Sequence, residues 1–158
     1  MNKMTISKAL RYKKRVVSKI SKLEEDIIAN NSIVEGEERD IDVSAALDQR
    51  ENTVRHLIEV KLAISTASAP IQKMILQCSE AKSRISFYNR VPIQHGKTRD
   101  RWEENTTAYE AELRKAQRDQ EVAELEDAID EFQSTIDAFN HSNHVEFSQL
   151  DNSTIVQG

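Results

Sequence analysis

The chain has 158 residues; 38% are apolar and 31% charged, with only three glycines and two prolines. That length fits one domain, and the composition excludes a thick multilayer globule in favour of long helices with narrow apolar stripes. The formal net charge of −5 is unevenly spread, so it identifies no partner until it is located along the chain.

The first helix is predicted to start after Thr5, a good N-cap residue, and to stop at Asn30 and Asn31. Its apolar positions, Ile6, Leu10, Val16, Val17, Ile20, Leu23, Ile27 and Ile28, recur every three or four residues. The stretch from Met1 to Lys22 carries Lys3, Lys8, Arg11, Lys13, Lys14, Arg15, Lys19 and Lys22 with no acid. Such a face suits nucleic acid or a membrane surface. It equally suits the acidic run from Glu103 to Asp137, and this second pairing is the expected one, because the two runs are similar in size and opposite in sign.

Val34 to Asp42 form a polar turn containing Gly36. A second helix is predicted from about Val43 to Ala67, with Leu47, Val54, Leu57, Ile58, Lys61, Leu62 and Ile64 along one side. Ser68 then caps a third helix that holds Pro70 in its first turn, where the missing N–H costs nothing. This helix presents Ile71, Met74, Ile75, Cys78, Ala81, Ile85 and Tyr88. Asn89 to Asp100 break the pattern with Pro92 and Gly96, which predicts a loop.

The last helix carries the clearest pattern: Val122, Leu125, Ile129, Phe132, Ile136 and Phe139 are spaced as a strict a/d seam. The pattern extends upstream through Ala116, Leu113 and Tyr109 with a change of phase near Gln120. Beyond Asn140 the helical period is lost, and Val145 and Phe147 alternate with polar residues as in a short strand or docked arm. The expected fold is therefore all-α: long antiparallel coiled-coil-like helices and a short C-terminal strand, as a single helical domain over residues 1–145 with a tail over 146–158. Each chain is expected to have too little core of its own and to complete it by self-association.

The single cysteine, Cys78, permits no intrachain disulfide and points to a reducing, cytoplasmic setting. No apolar run approaches the roughly 18 residues of a membrane span, and the first residues lack the apolar core of a secretory signal. Gly96-Lys97-Thr98 resembles the end of a phosphate-binding P-loop, yet the motif's first glycine would fall at Val91. His141 and His144 lack a third ligand at metal spacing, and Cys78 lies on an apolar stripe. No carboxylate pair stands out for acid–base work, so no catalysis, metal or cofactor is expected.

One segment departs from this background. Between Lys82 and Trp102 the chain supplies Lys82, Arg84, Arg90, Lys97, Arg99 and Arg101 against Asp100 alone, interleaved with Phe87, Tyr88 and Trp102 and with His95 and Gly96 between them. Arginine forks grip phosphate oxygens, aromatic faces stack on nucleobases for about 1–3 kcal/mol each, and glycine lets backbone N–H groups approach an anion. Cations, rings and a flexible loop are what a nucleotide-sized anion needs. The other reading is a solvated loop whose arginines snorkel while its aromatics cap helix ends. Composition alone does not separate the two.

Several stretches resemble the first family of Thoeris anti-defence proteins, phage proteins that act as sponges for a nucleotide immune signal. They are IVEGEE (Ile33 to Glu38), LIEVKLAISTASAPI (Leu57 to Ile71), SEAKSRISFYNRV (Ser79 to Val91), HGK (His95 to Lys97) and EVAELEDAIDEFQSTIDAFN (Glu121 to Asn140). None is a catalytic signature, and the similarity runs over nearly the whole chain. The resemblance implies sequestration, without cleavage, of glycosyl-cyclic-ADP-ribose, the messenger made by the TIR-domain enzyme of the Thoeris system. It implies a homodimer or higher homo-oligomer acting in the bacterial host cytoplasm, with cyclic oligonucleotides held by some members at a separate site between dimers.

On this chain the resemblance implies that Phe87 stacks on the adenine. Arg84, Arg90, Arg99 and Arg101 would face the pyrophosphate, and Asn89 and Asn140 the ribose hydroxyls. Arg55 and Lys61 are candidates for the second anion site, or else ordinary exposed helix charges. The alternative function is a structural or adaptor coiled coil acting only through protein–protein contacts. A nucleic-acid binder using Lys13, Lys14 and Arg15 is a third reading; neither nucleic acid nor membrane is an expected partner.

Overall fold

The computed structural model of the protein describes residues 1–99 and 106–150. In chain order the elements are β1 (Asn2–Thr5), α1 (Ile6–Asn30), α2 (Val43–Ala67), a 3₁₀ turn (Ala69–Ile71), α3 (Gln72–Arg90), β2 (Gly96–Arg99), β3 (Thr106–Tyr109), α4 (Lys115–Ser142) and β4 (His144–Phe147). The protein is mostly helical, with two small antiparallel sheets, β1–β4 and β2–β3. It divides into two compact units: Met1–Pro70 together with the stretch beginning at Asp137, and Ile71–Ile136.

In the first unit, Thr5 caps α1 by accepting from the Lys8 backbone N–H at 3.3 Å, as its side chain predicts. The helix ends at Asn30, where Arg39 donates to the carbonyls of Asn30 (3.1 Å) and Asn31 (3.3 Å) and so satisfies acceptors left open by the helix end. The connection to α2 turns at Val34–Glu37, with a 3.1 Å backbone hydrogen bond across it and Gly36 at φ 93°, a conformation L side chains rarely adopt. Asp42 then caps α2 by accepting from the Ala45 N–H at 3.0 Å. Cross-contacts set the direction: Tyr12 meets His56 near the start of α1 and Glu24 meets Arg50 near its end, so α1 and α2 run antiparallel.

The core of this unit gathers Ile6, Ala9, Val60, Ile64, Val145 and Phe147, with Met4, Leu10, Tyr12, Ala63, Ala67 and Phe139 packed against it. Strand β4 brings two of these, alternating outward His144 and Glu146 with buried Val145 and Phe147, as its period of two predicts. The strand therefore runs through the boundary expected after residue 145. Its partner β1 was not foreseen; the register pairs Asn2 with Phe147 and Thr5 with His144. The Lys3–Glu146 ion pair follows from that register, and the Ile6 N–H donates to the Asn143 carbonyl at 2.9 Å. Ser148 donates to the carboxylate of Glu59, fixing the chain just past β4 against α2.

The buried face of α2 is not the one its most apolar residues mark. Ala46, Thr53, His56, Val60 and Ile64 point inward, while Leu47, Ile58 and Leu62 are exposed. The reason is the aromatic cluster: the Phe147 ring lies 5.4 Å from Tyr12 and 5.9 Å from His56, and this rotates α2 so that a histidine faces the core. Thr53 is tolerated inside because its hydroxyl donates to the Gln49 carbonyl at 2.7 Å. On α1, likewise, Val17 and Ile28 are exposed and Ala9 is buried in their place.

In the second unit the stripe along α3 is the predicted one: Ile71, Cys78 and Ala81 are buried and Met74, Ile75, Ile85 and Tyr88 half-buried. Ser68 does not start this helix. It closes α2, its N–H donating to the Ile64 carbonyl, and Pro70 sits in the 3₁₀ turn that leads to Gln72. Along α4 the seam Val122, Leu125, Ile129, Phe132 and Ile136 is buried or half-buried in this unit, and its last member, Phe139, is half-buried in the first unit. Its expected upstream extension is replaced by β3, so Tyr109 and Leu113 lie outside the helix, which begins at Lys115. Where a loop was expected, β2 starts at Gly96 (φ 91°) and pairs with β3.

Two outcomes follow. Ile6→Ala, at a fully buried site, lowers unfolding free energy by about 2–5 kcal/mol in urea denaturation, whereas Ile28→Ala changes it by less than about 0.5 kcal/mol. Burial lowers the pKa of His56 and raises that of Tyr12, so a phenol and a neutral imidazole share the 2.8 Å hydrogen bond between Tyr12 Oη and His56 Nε2. The unfolded chain protonates this histidine at about pH 6.5 and the folded chain only below that. Stability is therefore full above that pH and declines as pH falls toward the folded value. Denaturation midpoints for the native protein and His56→Phe should diverge in pH dependence across this window; parallel curves would refute the assignment.

Candidate ligand face at the exit of helix α3

Helix geometry decides which of the predicted residues share a face. At roughly 100° per residue, Arg84 and Arg90 each lie about 60° from Phe87, one on either side of it. All three are exposed, and Phe87 keeps 54% of its surface open to solvent. Asn89 is also exposed but lies roughly 160° around the helix from Phe87, away from the ring. The Phe87 ring is not isolated: its centroid is 5.4 Å from Tyr88 at an interplanar angle of 53°. Tyr88 belongs to the half-buried stripe, so the exposed Phe87 ring rests against an anchored neighbour.

The arginines are available. Among the described residues neither Arg84 nor Arg90 has an ion-pair partner, and Glu80, at i−4 from Arg84, does not pair with it. Arg90 is bent back, its Nε donating to the Ser86 carbonyl at 3.4 Å. The β2–β3 hairpin follows five residues later, with Lys97 exposed on β2. His95 Nδ1 accepts from the Ala111 backbone N–H at 3.2 Å and so ties the two ends of the hairpin together. Every residue of β3 faces solvent.

The remaining predicted residues fall elsewhere. Arg99 ends β2, paired in register with Thr106, while Arg101 lies outside the described residues. Asn140 is buried near the end of α4, in the other compact unit from Phe87. Arg55 and Lys61 are exposed on α2, roughly 120° apart around the helix; Arg55 donates to Asn52 Oδ1 at 3.2 Å. Arg84, Phe87 and Arg90 are thus the part of the predicted set that α3 alone brings to one face.

A second feature was read differently from the sequence. The α1 cations form none of the ion pairs found among the described residues, and α1 packs on α2. Instead Lys8, Arg11 and Arg15, with Met4, line an open hollow of about 410 Å³. The signal for it was present as i, i+3, i+7 spacing, which stacks the three cations on one helix face.

No cluster of three potential metal ligands exists among the described residues, and none of the described helices is long and apolar enough to cross a membrane. Comparison with known protein families, with curated proteins and with solved structures finds no match.

Proposed function

We propose that the protein is a non-catalytic sponge for a cyclic ADP-ribose-type messenger, glycosyl-cyclic-ADP-ribose, and that it thereby blocks TIR-dependent Thoeris defence. One observation carries this reading: Phe87 stands more than half exposed between two arginines that have no acidic partner among the described residues. A large apolar ring exposed at such a position lowers solubility and adds little to folding unless something stacks on it. The resemblance of the chain to the first family of Thoeris anti-defence proteins names that something as an adenine ring.

The mechanism is mass action. The adenine stacks on Phe87, Arg84 and Arg90 supply charge-assisted hydrogen bonds to the pyrophosphate, and Lys97 adds positive charge from the hairpin. No bond of the messenger is broken. To outcompete an effector, the site needs a dissociation constant around nanomolar, about −12 kcal/mol, and the protein must exceed the messenger in amount. The face is open, so affinity of that order requires closure by the hairpin or by a second copy of the chain.

A second reading, an adaptor acting through protein contacts, is favoured by the exposed apolar row Leu47, Ile58 and Leu62 on α2. These positions fall within roughly 60° of one another around the helix and suit a protein partner.

Incubation with excess protein should remove the messenger from solution, and heating the complex should return it chemically intact. A hydrolysed product would overturn the proposal in favour of an enzyme. Phe87→Ala should weaken capture by roughly 5- to 150-fold, from the loss of one stacking contact. Full capture by that variant, or no thermal shift of the native protein with the messenger, would leave the adaptor reading.

A further inference from the structure

The hollow at the start of α1 lies in the first compact unit, and its lining residues take no part in the α3 face. Its composition is specific. Met4, projecting from β1, and the aliphatic stems of Lys8, Arg11 and Arg15 make an apolar floor, and the three charged ends form its rim. Along the helix the three cations span roughly 10 Å. None has an acidic partner among the described residues.

Two further observations point to an anion. The first turn of α1 contains no acid and does contain Lys8, so no negative charge in that turn offsets the positive end of the helix dipole. Arg15 is held from behind: its guanidinium carbon lies 5.7 Å from the centroid of the Tyr12 ring. That ring is itself fixed by its hydrogen bond to His56 and its stacking on Phe147. The helix thus presents one cation on an aromatic base pinned to the core, with two more alongside it. An arrangement that served only solubility would not need this support.

The size and charge of the hollow select the ligand. A single phosphate satisfies one or two of three cations spread over that length, whereas a diphosphate with a charge near −3 meets all of them. The apolar floor and the volume of about 410 Å³ leave room for a ring-bearing body next to the phosphates. A nucleic-acid backbone needs a continuous charged track, whereas among the described residues the hollow is lined by Met4, Lys8, Arg11 and Arg15 alone. We infer that the β1–α1 hollow is a second binding site, for a diphosphate-bearing small molecule of the nucleoside diphosphate class, independent of the α3 face.

The test is isothermal titration calorimetry of the full chain with inorganic pyrophosphate, with ADP and with single-stranded oligonucleotides of increasing length. In an Arg84→Ala/Phe87→Ala/Arg90→Ala background, which removes the α3 face that would itself take an adenine and a pyrophosphate, saturable binding of one pyrophosphate and one ADP per chain is expected, with ADP tighter because its body uses the floor. The Arg11→Ala/Arg15→Ala variant should lose about tenfold or more in both affinities. Because Arg15 also rests on Tyr12, Lys8→Ala/Arg11→Ala serves as a second variant and should lose a similar factor with an unchanged helical circular dichroism signal. Phe87→Ala should leave pyrophosphate binding unaltered, and both double variants should still capture the messenger, so failure of one site is distinguishable from failure of the other. Absence of pyrophosphate binding, affinities unchanged in both double variants, or affinity that climbs steadily with oligonucleotide length would each overturn the inference.

Discussion

The first unit is organised by the pairing of β1 with β4, because that ribbon supplies the residues that close its core. Val145 and Phe147 reach the core only if β4 runs beside β1 in this register, and Ile6 is sealed beneath the same ribbon. Phe147 then orders what surrounds it: Tyr12 stacks against it, and His56 is held edge-on between α1 and α2. A two-stranded ribbon is marginal alone. Here it persists because one face is buried on two antiparallel helices, and the helices in turn gain from the ribbon the apolar mass that their narrow stripes lack.

That closure also decides which charges face outward. With the inner side of α1 committed to α2 and the ribbon, Lys8, Arg11 and Arg15 stand on the opposite side without acids to neutralise them. Like charges crowded on two helical turns repel one another. The exit of α3 shows a related arrangement, with an exposed ring taking the place of the apolar floor. Both faces offer stacking or apolar contact plus guanidinium donors.

Much of the framework was legible in the chain itself. Thr5 fixes the first residue of α1, and Gly36 marks the turn that follows it, since capping and left-handed backbone are local properties of a few residues. The α3 stripe and the α4 seam were readable for a related reason: each has one clear apolar face, and helical period translates directly into burial. The candidate face was legible only in part. Arg84, Phe87 and Arg90 share a face because they sit on a single helix, whereas Asn140 and Arg55 belong to other elements whose placement no local pattern encodes.

The sequence by itself determined the presence of the helices, the Thr5 cap of α1, the alternation in β4 and the concentration of cations on α1, all set by interactions within a few residues of chain. Only the tertiary structure decided that β1 pairs with β4, that α2 turns His56 inward and Leu47, Ile58 and Leu62 outward, and that the α1 cations rim a hollow. Those outcomes rest on contacts between residues far apart in the chain. Phe147 meets Tyr12 across 135 positions, and the burial it gains there outweighs the hydropathy of any single face of α2.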